Sequence, residues 1–146
     1  MKKIIQKPHL FFFWLIPIFI ILGFVKRNIP IDISISYIHY LINVDFWCYI
    51  TAVYFGLMGI NYLSLHWVKK HPNNWLTSAH IILQITCLIP YLISIFNLDE
   101  TGNLIATDIP YQENLSSILL ISFFIFLASI VIHFINFFSS LLLKGD

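Results

Sequence analysis

The sequence predicts an all-α integral membrane protein, a bundle of four transmembrane helices that forms one domain over residues 1–146. Hydrophobic residues make up 59% of the chain and charged residues only 10%, far from the composition of soluble globular domains. Four stretches approach or exceed the roughly 20 apolar residues that cross a bilayer. They cover residues 9–25, 43–68, 75–96 and 115–143 and leave no room for a separate soluble domain.

The first span follows a basic N-terminus, as in a signal peptide. Because no small-residue cleavage pattern follows it, we expect it to remain as a helix. Apart from Trp14 and Gly23 it carries almost no polar or small side chain. We therefore expect this helix to face lipid or a partner protein.

Residues 26–43 connect the first two spans. Isoleucines at positions 29, 31, 33 and 35 alternate with other residues, and a period of two is typical of an extended segment. The connector is therefore predicted to be extended.

One face of the second span is small in the middle and polar at both ends. Its members recur at alternating steps of four and three, and they are Asp45, Tyr49, Ala52, Gly56, Gly59, Leu63 and His66. Small residues let helix backbones approach closely in a membrane. Ala52, Gly56 and Gly59 are thus predicted to form a packing face, whose partner lies within this chain or on another one.

The third and fourth spans carry polar stripes of their own. These are His80, Gln84, Cys87, Tyr91 and Ser94 on the third span, and Ser122, Phe126, Ser129, His133, Asn136 and Ser140 on the fourth. Polar groups are too costly to leave in hydrocarbon, so the stripes should face one another. We expect Asp45, Gln84, His133 and Asn136 to be the buried polar residues. His133 should hydrogen-bond across helices, with Gln84 as its candidate partner.

Basic residues predict the orientation of the chain. With a cytoplasmic N-terminus, six of the eight basic residues lie inside, namely Lys2, Lys3, Lys7, Lys69, Lys70 and Lys144. Both termini are then cytoplasmic and the acidic loop of residues 97–114 faces outward. Near the outer surface, Asp45 either reaches headgroup water or takes part in a proton path.

The sequence shows no nucleophile with a base, no paired carboxylates at catalytic spacing and no phosphate-binding glycine loop. We therefore predict no catalytic residues, no metal site and no bound cofactor. A net charge of +1 gives no reason to expect nucleic-acid binding. The alternative is electron or proton transfer with a b-type haem or a quinone at His66 and His80. Both lie on the order of 5 to 8 Å inside the cytoplasmic boundary by helical rise.

The run from Ile31 through Tyr62 resembles the start of the last four helices of haem-copper oxidase subunit I. The basic turn, the third span ending near a proline and the PYQENLSSI entry into the fourth span continue the resemblance. Asp32 and Ile33 match the opening of the family's D-I-x-x-H-D motif, and Tyr40 matches an aromatic position. Short four-span relatives of this region are familiar from bacteria, which implies the bacterial inner membrane.

The haem-ligand histidines of that family are lost here. Val44 and Phe46 stand at their positions, and Ser36 and Tyr37 replace the H-D pair. The resemblance therefore implies the packing of four helices and an association with respiratory proteins, but not haem binding through this motif.

We therefore expect a noncatalytic small membrane subunit or accessory protein of a larger membrane complex, respiratory by the resemblance. Its partners would be membrane lipid and other membrane protein subunits. A small transporter or channel lined by the three polar stripes is a third hypothesis, but four helices enclose little aqueous volume unless they oligomerise.

Overall fold

The computed structural model describes residues 7–35, 38–97 and 115–142. In these ranges the chain forms four long helices and two β-strands. In chain order they are α1 (Pro8–Val25), β1 (Pro30–Ile35), β2 (Ile38–Asn43), α2 (Val44–Trp67), α3 (Asn74–Phe96) and α4 (Leu115–Leu142). The four long apolar helices predicted from the sequence are confirmed, and each could cross a membrane. The acidic residues 99, 100, 108 and 113 and the lysines at 2, 3 and 144 lie outside the described residues.

The helix ends follow from local sequence. Pro8 begins α1, where a missing backbone N–H costs no intrahelical hydrogen bond. Asn73 caps α3, because its side-chain oxygen accepts a hydrogen bond from the backbone N–H of Trp75 at 2.9 Å. Asn28 and Lys69 have φ angles of 62° and 55°, and they reverse the chain after α1 and α2.

The connector between α1 and α2 is extended, as its period of two predicts. Its two halves pair as an antiparallel β-hairpin in which Pro30 lies opposite Asn43 and Ile35 opposite Ile38. The backbone N–H of Val44 donates to the carbonyl of Ile29 at 2.9 Å, which joins the start of α2 to the start of the hairpin. Alternation alone predicted extended backbone but not this pairing, because pairing depends on where the chain turns.

Helix α1 is not the peripheral helix that its composition suggested. Phe12 and Phe19 are 0% and 1% exposed, and Gly23 is buried against α2. A lack of polar residues is equally compatible with lipid and with a bundle core, since both are apolar. The expectation that α1 faces mainly lipid or a partner is therefore wrong for one of its sides. The other side is open, with Trp14 73% exposed.

The bundle consists of two antiparallel helix pairs that meet face to face. The pairs are α1 with α2 and α3 with α4. Their shared core is apolar and rich in aromatic rings, and it contains Phe12, Phe19, Ala52, Phe55, Met58, Tyr62, Leu65, Ile81, Cys87 and Leu88. Both cysteines are buried free thiols, as expected for packing residues.

Candidate functional site

Two buried histidines meet in the interior of the bundle, toward the end at which α2 is joined to α3. The rings of His80 on α3 and His133 on α4 lie 4.9 Å apart between centroids, and both residues are 0% exposed. Tyr62 of α2 contacts both rings, at centroid distances of 5.9 and 4.9 Å. Asn61 precedes it and also reaches His133. We call Asn61, Tyr62, His80 and His133 the histidine cluster.

One ring nitrogen of each histidine is held by a side chain of α2. The Tyr62 hydroxyl lies 2.9 Å from His80 Nδ1. The Asn61 side-chain amide nitrogen lies 3.3 Å from His133 Nε2. Because both contacts start from α2 and end on two different helices, they fix α2 against the α3–α4 pair.

The second ring nitrogen of each histidine has no hydrogen-bond partner among the described residues. His80 Nε2 and His133 Nδ1 are buried and make no hydrogen bond to any residue that the structure describes. Leaving a buried polar group unpaired costs about 1–3 kcal/mol. Phe12 stacks on both Tyr62 and His80 and adds an apolar wall beside these groups.

A second polar layer lies about one turn further along α3. Gln84 is 1% exposed, and its side-chain oxygen accepts hydrogen bonds from Tyr54 at 3.1 Å and Ser129 at 3.2 Å. Ser129 also donates to the backbone carbonyl of His80 at 3.4 Å. Gln84 thus accepts hydrogen bonds from α2 and α4, and it is not the hydrogen-bond partner of His133. The expected hydrogen bond of His133 across helices is present, but it is made with Asn61.

A third polar layer lies between the histidine cluster and the turn that joins α2 to α3. Asn136 is 0% exposed and donates to the Thr77 hydroxyl at 2.9 Å. Its side-chain oxygen accepts a hydrogen bond from the backbone N–H of Asn73 at 3.0 Å. Asn73 is exposed, so a continuous set of polar groups runs from the surface to Asn136.

Asp45 and Tyr91 lie toward the opposite end of the bundle. Asp45 is half-buried, but its Oδ1 atom is buried and unpaired among the described residues. The hydroxyl of Tyr91 is likewise buried without a partner there. Among the described residues no hydrogen bond links Asp45 to the histidine cluster, and the two functions considered for Asp45 stay predictions.

The structure separates His66 from His80. His66 is exposed at the end of α2, and its ring lies 5.6 Å from that of His9 on α1. His80 is instead buried against His133 and Tyr62. The two histidines therefore have different surroundings, and a cofactor bound at both stays a prediction.

The packing face on α2 is covered by α1 of the same chain. Ala52 is 6% exposed, and Gly59 is buried. A Cβ atom added to Gly59 would lie 2.5 Å from the ring of Phe13, while one added to Gly56 would meet only Ile16, at 3.7 Å. The partner of this face is thus intramolecular, and Gly59 is the position that needs a glycine.

The cluster does not fit a haem held between His80 and His133. An iron with two axial imidazoles, each nitrogen about 2 Å away, keeps the ring centroids about 6 Å apart on opposite sides of the porphyrin. The centroids here are 4.9 Å apart. Among the described residues, no group of three or more His, Cys, Asp or Glu side chains could hold a metal ion.

Sequence reasoning missed Asn61, Tyr62, Thr77 and Tyr54 as members of the polar interior. Tyr62 entered only as the last residue of the run that resembles the oxidase subunit. The available signal was the presence of Asn61 inside a span, where an amide needs a partner. The signal was weak because α2 contacts other helices through two faces. The face toward α1, which is made of small residues, has a more regular spacing than the face that carries Asn61.

No protein-family model, curated protein or solved structure matches this chain.

Proposed function

We propose that this chain is a noncatalytic integral membrane subunit that packs against a larger membrane complex through α4. One observation carries the proposal: α4 presents a regular row of large apolar side chains that none of the described helices covers. The four helices form the bundle, and this row of side chains is the surface that we propose contacts the partner complex.

The row runs from residue 120 to residue 141 of α4 at alternating steps of four and three. Its members are 41% to 61% exposed, and they are Leu120, Phe124, Leu127, Val131, Phe134, Phe138 and Leu141. We call them the α4 seam. This spacing is the repeat by which side chains of one helix insert between those of another in left-handed helix pairs.

The opposite side of α4 is already used inside the bundle. Ser129, His133 and Asn136 are buried and hydrogen-bond to α2 and α3 or to the turn between them. Because the polar stripe fixes the rotation of α4 about its axis, the seam is held outward. A partner helix could therefore dock without any rearrangement of the core.

The oxidase resemblance makes respiratory complexes the first partners to test, and on the same ground we propose the bacterial inner membrane as the location of the complex. Helices that associate in lipid do so by close van der Waals packing, since lipid tails are as apolar as leucine. Shortening seam side chains should therefore weaken association without exposing polar groups.

The test is purification of the tagged protein from its own membranes in mild detergent, with mass spectrometry of the proteins that accompany it. We expect the wild-type protein to copurify with membrane subunits in stoichiometric amounts. A double substitution in the seam, Leu120→Ala with Leu127→Ala, should reduce their recovery at least roughly tenfold, the effect of about 1.4 kcal/mol.

The matched control makes the same change on other exposed surfaces, Leu10→Ala with Leu57→Ala, where the side chains are 47% and 57% exposed. It should leave the recovery of partners unchanged. A wild-type protein that purifies alone, or a seam variant that keeps its partners, would contradict the proposal.

A further inference from the structure

We propose that the unpaired nitrogens of His80 and His133 bind one water molecule, and that this site exchanges with solvent from the end of the bundle at Asn73. The site lies between α3 and α4 and does not involve the α4 seam. The water site is therefore independent of whether the chain binds a partner complex.

The hydrogen-bond pattern specifies the ligand as one that can both accept and donate. The side-chain amide nitrogen of Asn61 donates to His133 Nε2, so the neutral ring of His133 carries its hydrogen on Nδ1. His133 Nδ1 is therefore an unpaired donor. His80 Nε2 is a donor if Tyr62 donates to Nδ1, and an acceptor if Nδ1 donates to Tyr62.

Water satisfies both cases, because its oxygen can accept two hydrogen bonds and its hydrogens can donate two. A metal cation requires a free electron pair on each nitrogen, and the hydrogen on His133 Nδ1 removes one of them. An anion requires both nitrogens to be donors and would bring an unpaired charge into an apolar bundle. Buried waters are typically found where two to four otherwise unsatisfied polar groups converge.

The two rings do not satisfy each other's unpaired nitrogens directly. A direct N–H···N bond requires about 2.9 Å between the nitrogens. No such bond joins His80 and His133 although their ring centroids are 4.9 Å apart. A water molecule between the rings would hydrogen-bond to both nitrogens at once.

Polar groups lead from the cluster toward the end of the bundle at Asn73. Asn136 lies one turn from His133 on α4, and it bonds to Thr77, which lies one turn from His80 on α3. Asn136 also accepts from the backbone of exposed Asn73. From Asn74 to His80 the helical rise is about 9 Å, a short distance from the surface. On its α1 side the cluster is covered by the ring of Phe12, stacked on Tyr62 and His80.

The experiment is nuclear magnetic resonance of the full chain, labelled with ¹⁵N in histidine side chains and held in lipid nanodiscs. We expect a cross-peak between water and the N–H of His133 Nδ1. After transfer to D₂O, this signal should disappear at least about a hundredfold faster than the backbone amides of residues 54–58. His133→Gln and His80→Gln identify the two signals, and His71→Gln, at an exposed residue, is the matched control.

Asn136→Ser tests the route, since a shorter side chain cannot bridge Thr77 and the backbone of Asn73. We expect the exchange rate of the His133 N–H to change at least threefold while the helical circular dichroism is retained. An N–H that exchanges as slowly as the backbone amides would overturn the inference. So would histidine signals that shift when a chelator is added, because that shift identifies a bound metal.

Discussion

The Tyr62 hydroxyl lies 2.9 Å from His80 Nδ1 in the interior of the bundle, and this hydrogen bond joins α2 to α3. Tyr62 is 2% exposed and His80 is 0% exposed, so neither group can be satisfied by bulk solvent if the other is removed. Phe12 of α1 stacks on both rings, and His133 of α4 contacts both. All four helices therefore meet at this one pair of residues.

Tyr62→Phe should destabilise the protein by about 1–3 kcal/mol, because it leaves His80 Nδ1 buried without a partner. The measurement is denaturant unfolding in detergent, followed by fluorescence. Tyr49→Phe is the matched control on the same helix, since the Tyr49 hydroxyl makes no hydrogen bond to the residues that the structure describes. Equal stability of the two variants would show that the Tyr62 hydrogen bond contributes nothing.

Gly59→Ala and Gly56→Ala should behave differently although both glycines belong to the same face. The added methyl of Gly59→Ala would lie 2.5 Å from the Phe13 ring, so the ring must move, at a cost of about 1–3 kcal/mol. At Gly56 the nearest atom is 3.7 Å away, an ordinary contact. Alanine there should be neutral or up to about 1 kcal/mol stabilising.

Thermal unfolding of the two glycine variants checks this difference, each against the wild type in the same detergent. A Gly56→Ala variant that loses as much stability as Gly59→Ala would show that α1 lies closer to α2 along its whole length than the structure has it.

Asn136→Ala should loosen the start of α3, because Asn136 bonds both to Thr77 and to the backbone of Asn73. We expect a loss of about 1–3 kcal/mol and faster hydrogen exchange at residues 74–78 than in the wild type. Ser139→Ala is the control, since the Ser139 hydroxyl donates only within α4, to the carbonyl of Asn136 at 3.1 Å. Unchanged exchange at residues 74–78 would contradict the bridging role.

Cysteine labelling tests the predicted orientation, and the native protein is a suitable background because Cys48 and Cys87 are buried. A membrane-impermeant maleimide added to the outer side of the intact membrane should label Arg27→Cys. It should label His71→Cys only after the membrane is opened. The wild type should remain unlabelled in both conditions, and the reverse pattern for the two variants would invert the orientation.

The sequence determined where the helices lie and which side of α3 and α4 is polar. Span limits follow from the length of apolar runs, since a bilayer core requires roughly 20 apolar residues. The rotation of a residue about its own helix follows from the 3.6-residue repeat. For this reason Gln84, His133 and Asn136 could be expected inside the bundle, where the structure has them at 1%, 0% and 0% exposure.

The tertiary structure alone decided which faces meet. Periodicity places a residue on its own helix but says nothing about which neighbouring helix covers it. The small face of α2 is thus covered by α1, and the buried partner of His80 is His133 and not His66. Such pairings depend on how large side chains such as Phe13 and Phe12 fill the space between helices, and packing of this kind is a property of all four helices together.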